Sequence, residues 1–355
     1  MGYHFDSRLE FAETLPASYY TDAAVLEQER RAIFCRTWQL VCRAEQVSEV
    51  GEFVTPTVAG EPVLIVRGAD DELRALSNVC RHRAGPVATG EGKRPVLQCG
   101  YHGWTYSLDG RLRTTPEFEG VECFDRNLSL PSFRVESWNG LVFVQLDSEA
   151  PSLADFVGDL SDHLSARDVS GYGLAGRKEW ELDCNWKVYV DNYLEGYHIP
   201  IVHPGLFREI DYARYRTETR GNYSIQHAPL RSPDRIRAKA DDAEAEYFWI
   251  YPNLMLNVYP DNFSTNLILP LGHGRTRTIF EWYFRDPSRP EVKARLADTV
   301  QFSDEIQLED IAICEAVQRG LQSSTYASGR YSPSRENGVH HFHDLYTRSM
   351  GIVRR

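Results

Sequence analysis

Residues 78–112 read NVCRHRAGPVATGEGKRPVLQCGYHGWTYSLDGRL and contain two short loops of the same kind. One residue separates Cys80 from His82, and two residues separate Cys99 from His102. Each loop therefore offers one thiolate and one imidazole, whereas zinc-finger loops usually pair cysteine with cysteine and histidine with histidine. The mixed pairs indicate that both loops hold one centre, with the cysteines on one metal ion and the histidines on another.

This ligand set is typical of a Rieske [2Fe–2S] cluster, whose two imidazoles raise its reduction potential above that of an all-thiolate cluster. Gly85, Pro86 and Gly100 predict turns through which backbone N–H groups approach the cluster sulfurs. Trp104 is expected to shield the cluster from solvent. The alternatives are a structural zinc site and four core residues with no common ligand.

Short runs of β-forming residues, separated by Gly, Pro and Asp-Gly turns, surround the loops from Trp38 to Asp147 and predict an all-β unit. Helical patterns at 18–34 and 148–170 flank it. The second half mixes strands with helices, the longest expected over about 290–322, which is an α+β pattern with an antiparallel sheet.

The cluster segment resembles the Rieske domain of ring-hydroxylating and related oxygenase α subunits. The resemblance implies a helical segment at 1–37 that packs on the catalytic domain, a Rieske domain at 38–150, and a catalytic mononuclear iron domain at 151–355. The catalytic domain of that family is of the helix-grip type, with an antiparallel β-sheet surrounded by helices. The family forms homotrimers, sometimes with a β subunit, so a homotrimer is expected.

A second constellation lies in the segment DNYLEGYHIPIVH. On a helix, Asn192, Glu195 and His198 would follow one another at intervals of three, and Pro200 would end that helix so that His203 returns beside His198. Two imidazoles and one carboxylate form the facial triad of non-haem iron(II) oxygenases. A histidine pair with this spacing is, by itself, more often incidental.

The resemblance supports the iron site, because the family motif Asn-x-x-Asp-x-x-His-x₄-His matches Asn192, Glu195, His198 and His203. It implies a third iron ligand from the last long helix, where Asp310 is the first candidate and Glu309 the alternative.

One departure from the family motif concerns the bridging carboxylate, which is usually Asp and is Glu195 here. In the family this carboxylate connects a cluster histidine of one subunit to an iron-binding histidine of the next. The implied electron path runs from His102 to Glu195 of the neighbouring subunit, then to His198 and the iron.

Charge and cysteine content narrow the choice of partners and compartment. A net charge of −12 argues against nucleic acid and anionic membranes. Residues 80–115 reverse this sign with six basic residues against two acids, which suits an acidic electron donor, although a solvated charged face explains them equally well. Seven cysteines and an N-terminal segment without a long apolar run predict a cytoplasmic protein.

The glycines of GYGLAG, residues 171–176, match the dinucleotide fingerprint G-x-G-x-x-G. We reject a nucleotide site because the motif leads into a predicted strand rather than a helix. Electrons from NAD(P)H are therefore expected to arrive only through a separate reductase or ferredoxin.

The second half resembles the choline monooxygenase and betaine demethylase branch of the family. This implies O₂-dependent hydroxylation of a C–H bond, as monooxygenation or oxidative N-demethylation of a small quaternary ammonium compound. Aromatic faces bind such cations. Aromatic residues on strands more often belong to the core than to such a cage. The candidate walls are Tyr193, Phe207, Trp249, Tyr251, Tyr259, Phe263, Trp282 and Phe284.

Two other functions remain open: a hydroxylase or dioxygenase of an aromatic ring or aromatic acid, and a Rieske electron carrier without oxygenase activity. His340, His341 and His343 add no ligand to the proposed triad. We expect buried hydrogen-bonding or pocket-lining roles for them.

Overall fold

The structure is a computed structural model that describes residues 3–125, 127–165, 171–231 and 244–354. Its chain divides into two compact units. One consists of Arg30–Phe156, and the other combines Met1–Glu29 with Val157–Arg355. The sequence predicted domain boundaries at residues 37 and 150, which differ from these limits by several residues and stay a prediction.

The unit of residues 30–156 is built from antiparallel strands. Its larger sheet has the order β1-β11-β10-β5-β4-β2-β6, with β3 paired to β4, and the sheet β7-β8-β9 lies apart. The strands are β1 Gln39–Arg43, β2 Glu52–Val54, β3 Thr57–Val58, β4 Glu61–Arg67, β5 Leu73–Ser77, β6 Glu91–Lys93, β7 Leu97–Gln98, β8 Thr105–Tyr106, β9 Leu112–Thr114, β10 Ser132–Trp138 and β11 Leu141–Gln145.

Two apolar clusters form the core of this unit. One contains Val63, Ile65 and Val142, which are contributed by central strands. The other surrounds both Cys-His loops and includes Trp104 and Tyr106. The loops are therefore fixed by packing on the sheet residues beneath them.

The second unit is built on an antiparallel sheet of order β12-β18-β17-β16-β15-β14-β13. Its strands are β12 Gly173–Leu182, β13 Arg216–Arg220, β14 Tyr223–Pro229, β15 Glu244–Ile250, β16 Leu254–Val258, β17 Asn262–Gly272 and β18 Arg275–Phe284. The α-helices within the described residues are α1 Ser18–Thr21, α2 Ala23–Glu29, α3 Leu153–Val157, α4 Leu160–Ser165, α5 Trp186–Tyr193, α6 Ile199–Val202, α7 Pro204–Glu209, α8 Pro290–Leu321 and α9 Asn337–Ser349.

The predicted α+β class and the long helix α8 are confirmed. The predicted helix at 18–34 is divided into α1, α2 and a π-helical turn, Arg30–Phe34, because Asp22 adopts an extended conformation. The connector expected at 148–170 contains α3 and α4, and its last five residues, 166–170, lie outside the described residues.

The glycine motif at 171–176 enters β12, as predicted. Across the described parts of the chain, no helix combines the length and apolar character needed to cross a bilayer.

Candidate metal centres and active-site cavity

The Cys-His loops bring their four predicted ligands together at one end of a tight hairpin pair. Backbone hydrogen bonds close each loop, from Cys80 N–H to Gly85 O at 2.8 Å and from Cys99 N–H to Trp104 O at 2.9 Å. A Cβ atom on Gly85 would lie only 3.2 Å from Cys99 Sγ, so this glycine allows the two loops to approach.

The donor atoms of these loops fit a metal cluster. Burial raises the pKa of the Cys99 thiol, and Cys80 lies beside it, so two adjacent thiolates here require a bound cation. His82 Nδ1 is buried and has no hydrogen-bond partner among the described residues. The His82 and His102 ring centroids are 4.6 Å apart, and His82 stacks on Trp104 at 4.8 Å. Trp104 thus covers one face of the His82 ring, and its shielding of a cluster stays a prediction.

Tyr106 contributes a polar contact that sequence reasoning missed. Its hydroxyl lies 3.2 Å from Cys80 Sγ and accepts a hydrogen bond of 2.9 Å from Arg81 N–H. Its spacing from Trp104 was the only signal in the sequence. Alternate residues of a strand share one face, so Tyr106 is expected on the same side as Trp104.

The second constellation converges in the catalytic unit. His198, His203 and Asp310 each place one possible ligand atom within 4.8 Å of the others. Asp310 Oδ1 lies 3.0 Å from His203 Nε2 and 3.9 Å from His198 Nε2. Asn192 Nδ2 donates to the same oxygen at 2.6 Å and thereby orients the carboxylate.

The outer nitrogens of both histidines face glutamates. His198 Nδ1 lies 2.7 Å from Glu195 Oε1, and His203 Nδ1 lies 2.7 Å from Glu309 Oε2. Hydrogen bonding at Nδ1 leaves each Nε2 to point at the shared centre, which is the usual arrangement around a metal-binding histidine. Glu309 thus takes the outer position, and Asp310 takes the inner one.

The local backbone differs from the helix expected for this segment. Helix α5 ends at Tyr193, so Glu195 lies beyond it, and His198 begins α6, where Pro200 occupies the first turn instead of ending a helix. The Glu195 carboxylate accepts the backbone N–H of Tyr197 and of His198, which replaces helical hydrogen bonds. Both histidines still reach one centre, because α6 is a single turn between them.

A cavity of about 620 Å³ opens beside the centre and is lined by His198, His203 and Asp310 themselves. Three predicted walls line it: Tyr193, Tyr259 and Trp282. The remaining aromatic wall residues, missed from the sequence, are Tyr189, Tyr215, Tyr247, Phe280 and Phe302. Tyr247 lies on β15 two residues before the predicted Trp249, so a choice of strand face would have found it.

The other predicted wall residues are not among the described residues that line the cavity, which corrects the expectation for Phe207, Trp249, Tyr251, Phe263 and Phe284. Trp249, Tyr251, Phe263 and Phe284 are core residues, and Phe207 is half-buried. The Trp249 indole donates to Pro252 O at 3.1 Å, and Phe263 stacks on Tyr283.

The tyrosines of the cavity carry no charge. Burial raises the pKa values of Tyr193, Tyr215 and Tyr247 well above the ordinary value of 10.0. The Tyr193 hydroxyl donates to Asn257 Oδ1 at 2.9 Å, and the Tyr215 hydroxyl donates to Gln226 Oε1 at 2.6 Å. The wall therefore presents neutral rings held in fixed positions.

His340 and His343 hydrogen-bond in the protein interior, and none of the three C-terminal histidines lines the cavity. His343 contacts Tyr331 Oη at 2.6 Å and Asp191 Oδ1 at 3.0 Å, and His340 contacts Asp6 O at 3.0 Å. His341 packs its ring edge-on against Trp249.

Two protein-family models match the chain, one over the Cys-His loops and the other over the His198, His203 and Asp310 site. Residues 37–125 match the Rieske [2Fe-2S] domain, and residues 170–352 match the catalytic domain of the ring hydroxylating alpha subunit.

Two curated relatives align over nearly the whole chain. Chloroplastic choline monooxygenase of Arabidopsis thaliana is 35% identical and covers 95% of this chain and 83% of its own. The carnitine monooxygenase oxygenase subunit of Escherichia coli strain K12 is 32% identical, with 96% and 95% covered.

Solved structures show the same similarity. The quaternary ammonium Rieske monooxygenase CntA in complex with L-carnitine superposes with a TM-score of 0.86 at 31% identity, covering 98% of both chains. Naphthalene 1,2-dioxygenase from a Rhodococcus species, at 20% identity and a TM-score of 0.81 over 95% of this chain and 94% of its own, shares the fold.

Proposed function

The chain belongs to the Rieske non-haem iron oxygenases with a ring-hydroxylating-type α subunit, and from this premise we propose that it hydroxylates a small quaternary ammonium compound. Choline, betaine and carnitine types are the candidate substrates. The reaction is monooxygenation, either at an alcohol carbon or at a carbon next to nitrogen, where hydroxylation leads to N-demethylation.

The tyrosine-rich wall beside the triad is the observation that carries this proposal. A quaternary ammonium group has no hydrogen to donate, so it is recognised by the negative faces of aromatic rings, at about 0.5–2 kcal/mol per contact. Tyr193, Tyr247 and Tyr259 line the cavity and remain neutral, since burial raises the pKa of each. Similarity to choline and carnitine monooxygenases supports the same substrate class.

The two centres divide the chemistry. Cys80, His82, Cys99 and His102 would hold the [2Fe–2S] cluster, which supplies electrons, and His198, His203 and Asp310 would hold the mononuclear iron, which activates O₂. Asn192 orients Asp310 through its 2.6 Å hydrogen bond. Glu309 and Glu195 keep the histidine Nε2 atoms directed inward by accepting from Nδ1–H.

Electrons would pass between chains, from His102 of one subunit through Glu195 of the next. Supporting this path, His102 is exposed, and Tyr101 beside it is 58% exposed. Large apolar side chains are also exposed around the iron-binding segments: Tyr197 at 57%, Ile201 at 86% and Leu308 at 60%. A second copy of the chain would cover them, and a closed ring of three copies satisfies every such contact.

The electron donor is proposed to be a separate reductase or ferredoxin with an acidic docking face. Six basic residues of the cluster unit are exposed and support this choice: Arg81, Arg83, Lys93, Arg94, Arg111 and Arg113. Seven free cysteines support a reducing compartment, for which we propose the cytoplasm.

Oxygen consumption by the reconstituted holoenzyme tests the substrate class. We expect choline, glycine betaine or carnitine to stimulate O₂ uptake and to release aldehyde or hydroxylated product. The neutral carbon isostere of choline, 3,3-dimethylbutan-1-ol, is the matched control and should stimulate far less. Replacement Tyr247→Leu should raise KM for the ammonium substrate by about 2–30-fold, the range of one lost cation–π contact.

The two rival functions give different results. Stimulation by benzoates but not by ammonium compounds would identify an aromatic hydroxylase, which the shared fold with naphthalene 1,2-dioxygenase also permits. A chain with about two irons and no substrate-dependent O₂ uptake would be an electron carrier. About three irons per chain are expected for the oxygenase.

A further inference from the structure

We propose that His227, Glu244 and Glu246 bind a divalent transition-metal ion such as Zn²⁺, at a site separate from both iron centres. Each of the three residues places one possible ligand atom within 4.8 Å of the others. They lie on adjacent strands, His227 on β14 and the glutamates on β15, where His227 is directly paired with Glu246.

The site lies on the opposite face of the sheet from the active-site cavity. Gln226 and Tyr247 line that cavity. Because successive side chains of a strand point to opposite faces, His227 and Glu246 point away from it. Glu244 shares the face of Glu246, since it lies two residues before it on β15. An ion bound here would therefore not touch substrate.

The imidazole of His227 is the observation that indicates a ligand. The residue is 7% exposed, and neither ring nitrogen has a hydrogen-bond partner in the described part of the chain. A buried imidazole without a partner is costly, so such groups usually serve a bound ion or water.

Nearby carboxylates lie at distances that suit a shared ion better than direct hydrogen bonds. His227 Nδ1 is 3.4 Å from Glu244 Oε2 and 3.9 Å from Glu246 Oε1. Hydrogen bonds to nitrogen are normally no longer than about 3.2 Å. Ligands bound to one Zn²⁺ at about 2.0–2.2 Å are separated by about 3.3–3.6 Å in a tetrahedron, a range that includes the first distance.

Both acidic and basic side chains surround His227. Glu218 on β13 faces the other ring nitrogen, Nε2, at 3.5 Å, and Arg216 on β13 lies 3.2 Å from Glu244 Oε1. Arg220 lies 3.5 Å from Glu218 and also pairs with Asp159. Glu244 Oε2 is thus directed at the imidazole while its other oxygen contacts arginine. One imidazole with two carboxylates is a ligand set that first-row divalent ions accept.

Zinc retention by the purified holoenzyme tests this site. The protein is incubated with ZnCl₂, separated from unbound metal, and analysed for zinc and iron. We expect the wild type to retain about one zinc ion per chain more than His227→Gln or Glu246→Gln, with unchanged iron content and cluster absorption in all three. Zinc should also raise the thermal midpoint of the wild type and not of these variants.

Glu218→Gln is the matched control, because Glu218 contacts the same imidazole at the nitrogen that faces away from the proposed ion. It should keep the extra zinc ion. Equal zinc retention by the wild type and Glu246→Gln would overturn the proposal. Equal loss in Glu218→Gln and Glu246→Gln would also overturn it, since it would point to general attraction by the acidic cluster. Should His227→Gln not fold, the isosteric pair of glutamate variants decides the question.

Discussion

Adjacent acidic residues on α8 have different contacts around the two histidines of the proposed iron site. Asp310 contacts His203 Nε2, and Glu309 contacts His203 Nδ1. Because only the first position faces the metal, Asp310→Ala should remove the mononuclear iron and lower the iron content from about three to about two per chain. Cluster absorption should be unchanged. Iron analysis combined with visible spectroscopy measures both.

Glu309→Gln serves as the comparison. It loses only the charge that orients the imidazole, so iron affinity should fall by about 10–100-fold while saturating iron restores full occupancy. Permanent iron loss in Glu309→Gln, with retention in Asp310→Ala, would reverse the two assignments.

His341 predicts a dependence of stability on pH. Burial is the main cause that lowers the pKa of its imidazole below the ordinary value of 6.5. Above that value neither the folded nor the unfolded state binds the proton. As the pH falls below it, the unfolded chain binds a proton first, so folding stability decreases. His341→Gln should therefore lose less thermal stability than the wild type between about pH 8 and about pH 6. Identical losses would contradict this account.

Helix α5 depends on a buried ion pair at its first turn. Lys187 Nζ lies 2.5 Å from Glu29 Oε1, and both side chains are fully buried. Trp186 and Tyr346 donate to the same carboxylate at 2.8 and 2.7 Å. Asn185 caps the helix by accepting from Lys187 N–H at 3.0 Å. These contacts join α5 to α2 and α9, so the iron-binding segment that follows begins from a fixed point.

Replacing Lys187 by Met should lower the free energy of unfolding by about 3–5 kcal/mol, because Glu29 would remain buried without its cation. Lys178→Met is the matched control, since Lys178 forms an ion pair with Asp304 while 42% exposed. A surface pair of this kind contributes about 0–1 kcal/mol. Urea denaturation monitored by tryptophan fluorescence gives both values, and similar losses would argue against the buried pair.

The elements best predicted from the sequence were those with a local signal. Four residues within 23 positions specify the cluster loops. Helix α8 is specified by a long run of helix-forming residues without a proline after its first turn. Strands β13 and β14 carry no such local signal. Strand β13 reads RTETR without an apolar face, and β14 is buried along its whole length although it carries Ser, Gln and His. Their partners across the sheet, and not their own patterns, determine them.

The convergence of His198, His203 and Asp310 was predicted, whereas the backbone that brings them together was not. Helix α5 stops at Tyr193 because Glu195 bonds the backbone beyond it, and a Cβ on Gly196 would lie 2.6 Å from the Tyr215 ring. Both causes involve contacts that a periodicity argument does not include. Three of the eight aromatic residues that line the cavity were predicted. Trp249 shares a strand face with Tyr247 but does not line the cavity, so side-chain alternation alone does not identify the wall.

At the scale of the whole molecule, the proposed path between subunits predicts complementation. Cys99→Ala should lack the cluster, Asp310→Ala should lack the mononuclear iron, and neither should turn over alone. Co-expressed chains would form rings in which a cluster of one variant adjoins an iron of the other. Random mixing places the productive pair at about a quarter of the contacts, so about a quarter of wild-type turnover is expected.

Mixed oligomers that form but stay inactive would indicate that each chain transfers electrons only within itself. Size-exclusion chromatography with two different affinity tags establishes that mixing has occurred. A matched mixture, in which the double variant Cys99→Ala/Asp310→Ala is co-expressed with Asp310→Ala, contains no intact iron site and should remain inactive.

The hydroxyl group of Tyr106 has a consequence for the energy of electron transfer. It can donate its proton to Cys80 Sγ while accepting from Arg81 N–H, and burial raises its pKa so that the proton stays in place. A proton shared with a sulfur ligand draws negative charge away from it and favours the reduced cluster. The Tyr106 hydroxyl would therefore raise the reduction potential of the cluster. A relative with phenylalanine at this position and the same four ligands would have a lower potential and would give up the electron more readily.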